Sequence, residues 1–189
     1  MSKKETKRDI HVVNIVVSTS LEHDIPLEKM AATLSNTEYN PEQFPGLVIR
    51  IKEPKTSALI FSSGKVVCTG ARTLDKVEES IKKIIKSLEK INIKITVKPE
   101  IKVQNIVASG SVGMDLNLNT LAMKLENTEY EPEQFPGLVY KLRVNAAKPF
   151  NSTFLLFSNG KIVCTGTKSE KEVHIALDKL IENLKKVKG

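Results

Sequence analysis

The strongest constraint on the fold is that the chain contains its own sequence twice. Asn36-Thr37-Glu38-Tyr39 and Pro41-Glu42-Gln43-Phe44-Pro45-Gly46-Leu47-Val48 return 91 residues later as Asn127-Thr128-Glu129-Tyr130 and Pro132-Glu133-Gln134-Phe135-Pro136-Gly137-Leu138-Val139. Only Asn40 against Glu131 interrupts this block. Phe61-Ser62-Ser63-Gly64-Lys65-Val66-Val67-Cys68-Thr69-Gly70 recurs as Phe157-Ser158-Asn159-Gly160-Lys161-Ile162-Val163-Cys164-Thr165-Gly166, now 96 residues later, so the second copy has gained five residues within 144–153. One unit must therefore fold twice. Two copies packed about a pseudo-dyad present a nearly symmetric surface, which suits a nearly symmetric target.

Each copy has the same order of patterns. His11-Val12-Val13-Asn14-Ile15-Val16-Val17 and Lys102-Val103-Gln104-Asn105-Ile106-Val107-Ala108 are β-branched and apolar, and predict a strand interrupted by one polar residue. Leu27, Met30, Ala31 and Leu34, and their counterparts Leu118, Leu121, Ala122 and Leu125, recur at helical spacing. After Pro/Gly punctuation at 40–46, apolar segments at 47–51, 57–61 and 65–69 predict three strands, the last two joined by a hairpin turn at Ser62-Ser63-Gly64. Val77, Ile81, Ile84, Ile85 and Leu88 then mark the buried stripe of a long helix, repeated as Val173, Leu177, Leu180, Ile181 and Leu184.

The fold expected is α+β: a duplicated strand-helix-strands-helix unit whose strands join into one curved antiparallel sheet, with both long helices on one face. The domains expected are a tail at 1–9, a first repeat at 10–92, a connecting segment at 93–100 that can extend the following strand, and a second repeat at 101–189.

Strand alternation then sorts residues by face. With Val66, Cys68, Ala58 and Ile60 beneath the helices, Ser57, Leu59, Phe61, Lys65, Val67 and Thr69 face the open side. The first strand puts Val13, Ile15 and Val17 inside and Asn14 and Val16 outside. The second copy exposes Asn105, Val107, Leu155, Phe157, Lys161, Val163 and Thr165. An open face of Val, Leu, Phe, Thr and Asn demands a cover, because monomers rarely expose so large an apolar patch. A loop, a partner subunit or a small apolar ligand would serve as well as any larger target.

Composition narrows the choice of class. With 40% hydrophobic and 27% charged residues, the chain is an ordinary globular mixture. No apolar run approaches a membrane span, and the first residues lack the apolar core of a signal peptide, so an intracellular protein is expected. Cys68 and Cys164 occupy equivalent positions in apolar runs without metal-site spacing, and are expected as buried free thiols. His11, His23 and His174 form no cluster, and His174, replacing Glu78, is expected at a solvated helix position. No nucleophile, base and orienter are held in both copies; no catalytic site, metal or cofactor is expected. The net charge of +7 permits a polyanionic partner, although many lysines fall at 76–94 and 179–188 on amphipathic helices.

At this level of detail the chain resembles the TATA-box-binding protein family over both repeats, from about Ile10 to Leu184, and its short start resembles the archaeal form. The resemblance implies a saddle whose concave sheet straddles the DNA minor groove, and a kink of about 80°, which is a known property of the family and not a result of these residues. It implies that Phe44, Phe61, Phe135 and Phe157 are intercalating wedges; for Phe61 and Phe157, at strand ends, a core position is the competing reading. Asn14 and Asn105 would bond base acceptors at the centre of the site, with Val16, Val107, Leu59, Leu155, Val67, Val163, Thr69 and Thr165 as further base contacts. Arg50, Lys65, Lys141 and Lys161 lie on the same side of their strands and match the family's phosphate-contacting residues. A local backbone partner would explain one of the two asparagines; the repetition favours an external partner for both.

The implied role is a general transcription factor that bends promoter DNA and recruits transcription factor B, through Glu131 and Glu133, and RNA polymerase. Such a protein would work in the cytoplasm of an archaeal cell, or in a nucleus, and could hide its apolar face by forming a homodimer when free. The alternative is an apolar saddle that binds a protein or small ligand without DNA specificity. An enzyme related to glycosylases of similar fold would need a catalytic domain besides the two repeats. Phe150, in the five-residue insertion, is expected either as a local staple or as an added contact.

Overall fold

The computed structural model describes residues 9–188; most of the expected 1–9 tail lies outside the described residues. The chain divides into two compact units, residues 14–104 and residues 9–13 with 105–188. In sequence order the first repeat contributes β1 (Asp9–Ser20), α1 (Leu27–Thr33), β2 (Thr37–Glu38), β3 (Leu47–Ile51), β4 (Thr56–Ile60), β5 (Lys65–Ala71) and α2 (Leu74–Glu89). The second contributes β6 (Lys102–Ser111), α3 (Leu118–Lys124), β7 (Thr128–Glu129), β8 (Leu138–Val144), β9 (Phe150–Leu156), β10 (Lys161–Thr167) and α4 (Glu170–Lys188). Strand order is β2-β3-β4-β5-β1 in one and β7-β8-β9-β10-β6 in the other, with antiparallel pairing, and the class is α+β.

In the 14–104 unit, Ile15, Val17, Ile49, Ala58, Ile60, Val66 and Cys68 line the covered face of the strands, and α2 brings down Val77, Ile81, Ile84 and Leu88, all buried. Each such aliphatic side chain contributes about 1.5–3 kcal/mol when fully removed from water. Thr73 starts α2 by accepting the Lys76 amide on its side chain at 3.3 Å. The other unit repeats the arrangement with Ile106, Ala108, Phe154, Leu156, Ile162 and Cys164 beneath Val173, Leu177, Leu180 and Leu184. Val13, Ile85 and Ile181, expected inside, are only half-buried, because they lie at the margins of these stripes.

Three features differ from the sequence reading. The Asn-Thr-Glu-Tyr motifs hold two-residue edge strands, β2 and β7, too short to leave a periodic signal. The five extra residues do not merely lengthen a connection: nine residues stand between Leu142 and Ser152 where four stand between Ile51 and Thr56, and they add two rungs, Arg143↔Asn151 and Val144↔Phe150. Phe150 is therefore cross-strand partner to the buried Val144, a local staple on the covered face. His174 is not at a solvated position; its side chain is half-buried and Nδ1 is enclosed without a partner among the described residues.

The duplication also leaves one polar mismatch. In the first repeat Thr56 and Ser80 hydroxyls share a buried hydrogen bond of 2.8 Å. Their counterparts are Ser152 and Ala176, so Ser152 Oγ, 2% exposed as a residue, has no partner among the described residues. Much of the lysine charge on the helices is locally engaged, as Lys76 and Lys83 with Glu79 at 3.1 and 3.5 Å, and Lys179 and Lys186 with Glu182 at 3.0 and 2.5 Å.

Candidate nucleic-acid interface

Alternation leaves one face of each set of strands open, and the register organises it into rows. In the 14–104 unit, Val48, Leu59, Val67 and Ser18 are successive cross-strand neighbours on β3, β4, β5 and β1, all half-buried. The adjacent row runs Arg50, Ser57 and Thr69, with Asn14 completing it on β1 through the hydrogen bonds given below. The other unit gives Val139, Leu155, Val163 and Ser109, then Lys141, Thr153, Thr165 and Asn105. Rows on one face are about 7 Å apart. Val48, Val139, Ser18 and Ser109 were absent from the sequence-derived site. Applying alternation to 47–51 identifies Val48 from sequence; Ser18 required knowing that β1 runs on to Ser20. Val16 and Val107 are half-buried on the same strands as the asparagines.

The asparagines sit at a bulge. Opposite Val16, β5 carries two residues, Thr69 and Gly70, where regular pairing would place one, and β10 does the same with Thr165 and Gly166 opposite Val107. Gly70 and Gly166 have φ of +101° and +87°, conformations that disfavour any Cβ. The amide freed from the ladder at each bulge is accepted by asparagine: Gly70 N donates to Asn14 Oδ1 at 2.7 Å, and Gly166 N to Asn105 Oδ1 at 2.8 Å. Both copies therefore have the local backbone partner that repetition argued against.

That bond fixes which way each carboxamide faces. With Oδ1 held by a backbone donor, Nδ2 is the other end, and it lies 3.0 Å from Thr69 Oγ1 in one copy and 3.0 Å from Thr165 Oγ1 in the other. An amide nitrogen carries two hydrogens, so one donor per asparagine has no partner among the described residues. The site offers donors, not acceptors, at these two points.

Each half-site ends in a pair of phenylalanines. Phe44 and Phe61 have centroids 5.9 Å apart at 65°, and Phe135 and Phe157 are 5.9 Å apart at 70°, both edge-to-face. Phe44 and Phe135 remain 42% and 39% exposed, and Phe61 and Phe157 are half-buried. The first ring of each pair is set by a turn in which Asn40 O, or Glu131 O, accepts the amides of residues three and four positions on. Gly46 and Gly137 make the pairing possible: a Cβ there would lie 2.7 Å from the ring of Phe44 or Phe135.

The basic residues divide into two kinds. Lys65 and Lys161 are exposed, opposite Ser20 and Ser111 in register, and have no ion pair among the described residues. Arg50 pairs with Glu38 at 3.0 Å and Lys141 with Glu129 at 2.6 Å, each glutamate contributed by the short edge strand that sequence reasoning missed. Exposed pairs of this kind are worth about 0.2–1 kcal/mol, so a phosphate can displace the carboxylate at small cost. Glu131 and Glu133 are exposed in the loop before Phe135, and Asn40 and Glu42 are exposed in the corresponding loop.

Burial pushes the Cys68 thiol up to about 11 and the Cys164 thiol up to about 12, so neither supplies a nucleophile near neutrality. Among the described residues, no group of three or more His, Cys, Asp or Glu is placed to hold a metal ion, and no helix is long and apolar enough to cross a membrane.

The comparisons with known proteins agree. Residues 9–91 and 100–187 match the family described as transcription factor TFIID, or TATA-binding protein. The TATA-box-binding protein of Methanocaldococcus jannaschii is 49% identical over 179 residues, covering 95% of both chains. That of Picrophilus torridus is 52% identical over 180 residues, covering 94% of this chain and 95% of its own. The solved structure titled Methanococcus jannaschii TBP superposes with a TM-score of 0.84 at 49% identity, over 94% of this chain and 99% of that one. The chain belongs to the TATA-binding protein family.

Proposed function

We propose that this protein is a general transcription initiation factor, not an enzyme, whose two half-sites together bind the minor groove of A·T-rich TATA-box DNA and bend it. The observation that carries the reading is the duplicated open face: apolar rows beside an outward amide donor. In the minor groove A·T and T·A pairs show only acceptors, while G·C adds an amino group. Asn14 and Asn105 have a spare donor for such acceptors, and Val16, Leu59, Val67, Thr69 and their counterparts Val107, Leu155, Val163 and Thr165 provide no charged acceptor for the guanine amino group. The alternative of an apolar module without DNA specificity gives no reason for the spare amide donors.

On this reading the repeats at 10–92 and 101–189 each contribute their open strand face to the groove. The paired rings of Phe44 with Phe61 and of Phe135 with Phe157 wedge into base steps, where unstacking costs a few kcal/mol and the bent duplex returns contact area. Arg50, Lys65, Lys141 and Lys161 neutralise phosphates and position the protein without reading sequence. Glu131 and Glu133 recruit transcription factor B, and through it RNA polymerase. Asn40 in place of Glu131 makes the first loop less acidic, giving the assembly a direction. The free protein hides its apolar face in a homodimer, and it works in the cytoplasm. Binding and bending of a fluorescently labelled TATA duplex, against one with G·C substituted throughout the element, tests the reading; equal binding of both duplexes would remove it.

A further inference from the structure

The second repeat reaches further than the first along its open face. In the first, the β3–β4 ladder closes at Ile51↔Thr56, one residue past the Arg50↔Ser57 rung. In the second, β8 and β9 continue through Arg143↔Asn151 to Val144↔Phe150. Leu142 and Val144 are buried, so Lys141 and Arg143 share the opposite side, and Arg143 stands two rungs, about 7 Å, beyond Lys141 on the open face.

Its electrostatic setting differs from that of its neighbours. Arg50 and Lys141 each lean on a glutamate, whereas Arg143 is exposed and has no ion pair among the described residues. The stretch 143–151 contains Arg143 and Lys148 and no acidic residue, and Lys148 is also exposed, with no ion pair among the described residues. The insertion thus spends two additional rungs on holding an unneutralised guanidinium at a fixed place. Counted on from Ile51 and Leu142, Arg143 stands where the first repeat carries Lys52, and its cross-strand partner Asn151 stands where the first repeat carries Lys55; Lys52 and Lys55 lie in the turn after β3, whereas Arg143 is set on a paired strand. The covered side of the added rungs is closed by Val144 and Phe150, which makes the extension a supported ladder.

We propose that the extended β8–β9 hairpin is an additional phosphate-binding arm, in which Arg143 grips the DNA backbone outside the contacts the two repeats have in common. The occupant follows from continuity and charge. The arm prolongs the row that contains Lys141 and Val139, and a guanidinium fork matches a phosphate bidentately. The inference rests on the minor-groove reading and adds to it an asymmetric footprint: beyond the Arg50 and Lys141 rungs the second repeat fixes its cation on a strand ladder, where the first carries Lys52 and Lys55 in a turn. A near-symmetric DNA clamp acquires polarity from this arm independently of any protein partner.

The test is the salt dependence of binding to a TATA duplex by fluorescence anisotropy, using the full chain. Each neutralised phosphate contributes about 0.9 to the slope of log K against log salt. Arg143→Ala should make the slope shallower by about 0.9, so that between 50 and 200 mM salt its Kd rises about 3- to 4-fold less than that of the parent protein. Arg143→Lys should keep the slope, and Lys82→Ala, on the exposed side of α2, should leave it unchanged. Thermal melting confirms that the variants are folded. A slope for Arg143→Ala equal to that of the parent overturns the proposal while leaving the minor-groove reading intact. Failure of the parent protein to distinguish TATA from G·C-substituted duplex removes the reading beneath it.

Discussion

Replacing Asn14 and Asn105 by aspartate separates the two jobs the structure gives each carboxamide. An aspartate keeps an oxygen where Oδ1 now accepts Gly70 N at 2.7 Å or Gly166 N at 2.8 Å, so the bulges on β5 and β10 keep their partner. What it loses is Nδ2, and with it the hydrogen left over after Thr69 or Thr165 is served. A base acceptor then faces a second acceptor with no proton between them. Leaving a polar group unpaired in a desolvated interface costs about 1–3 kcal/mol, which is roughly a 5- to 150-fold rise in Kd per position. If the two sites act independently, the double variant loses roughly 25-fold or more. Anisotropy titration of a labelled TATA duplex measures the loss, and a melting curve within about 2 °C of the parent shows that the bulges survive. Asn14→Ala with Asn105→Ala should also lose binding, but with lower melting temperature, because the Gly70 and Gly166 amides lose their acceptor. Unchanged affinity in the folded aspartate double variant would refute the assignment of outward donors.

Phe44→Ala and Phe135→Ala should each reduce DNA bending by fluorescence transfer as well as affinity, while costing the free protein little beyond the edge-to-face ring contact, about 0.5–1.5 kcal/mol; unchanged bending would remove the wedge role. Ala176→Ser should supply Ser152 with the partner that Ser80 gives Thr56, adding about 1 kcal/mol and 2–4 °C in Tm, and a lower Tm would show that Ser152 is satisfied some other way. Burial holds both thiols protonated in the folded state, whereas in the unfolded chain they ionise from about 9.0. Their contribution to stability is thus complete below pH 9 and is lost as pH rises toward 11–12. Urea midpoints of the parent should fall more steeply above pH 9 than those of a Cys68→Ala, Cys164→Ala variant, and parallel pH profiles would contradict this.

The duplication made most of the fold legible, because it supplied two independent readings of each element. Val77, Ile81, Ile84 and Leu88 mark α2 by period, and their echoes in Val173, Leu177, Leu180 and Leu184 mark α4. Strict alternation on 57–61 and 65–69 separated Ala58, Ile60, Val66 and Cys68 from Leu59, Val67 and Thr69, as burial shows. What sequence concealed is pairing across strands. The bulge that gives Asn14 a backbone donor depends on register between β1 and β5, which no local pattern encodes. Glu38 and Glu129 read as motif residues, yet two-residue strands set them against Arg50 and Lys141. The five-residue insertion read as a longer connection, since Asn145-Ala146-Ala147-Lys148-Pro149 has turn composition. Only the ladder reveals that Arg143 and Asn151 are paired.

The central claim is recognition of minor-groove acceptors by an apolar face with two amide donors. Inosine opposite cytosine lacks the guanine amino group, and so presents a minor groove like that of A·T while keeping the major-groove face of G·C. The most direct measurement is the affinity and bending of one duplex in three forms, with A·T, I·C and G·C pairs through the element. The account predicts that the A·T and I·C forms are bound and bent alike and the G·C form is not; an I·C duplex that behaves like G·C would contradict it.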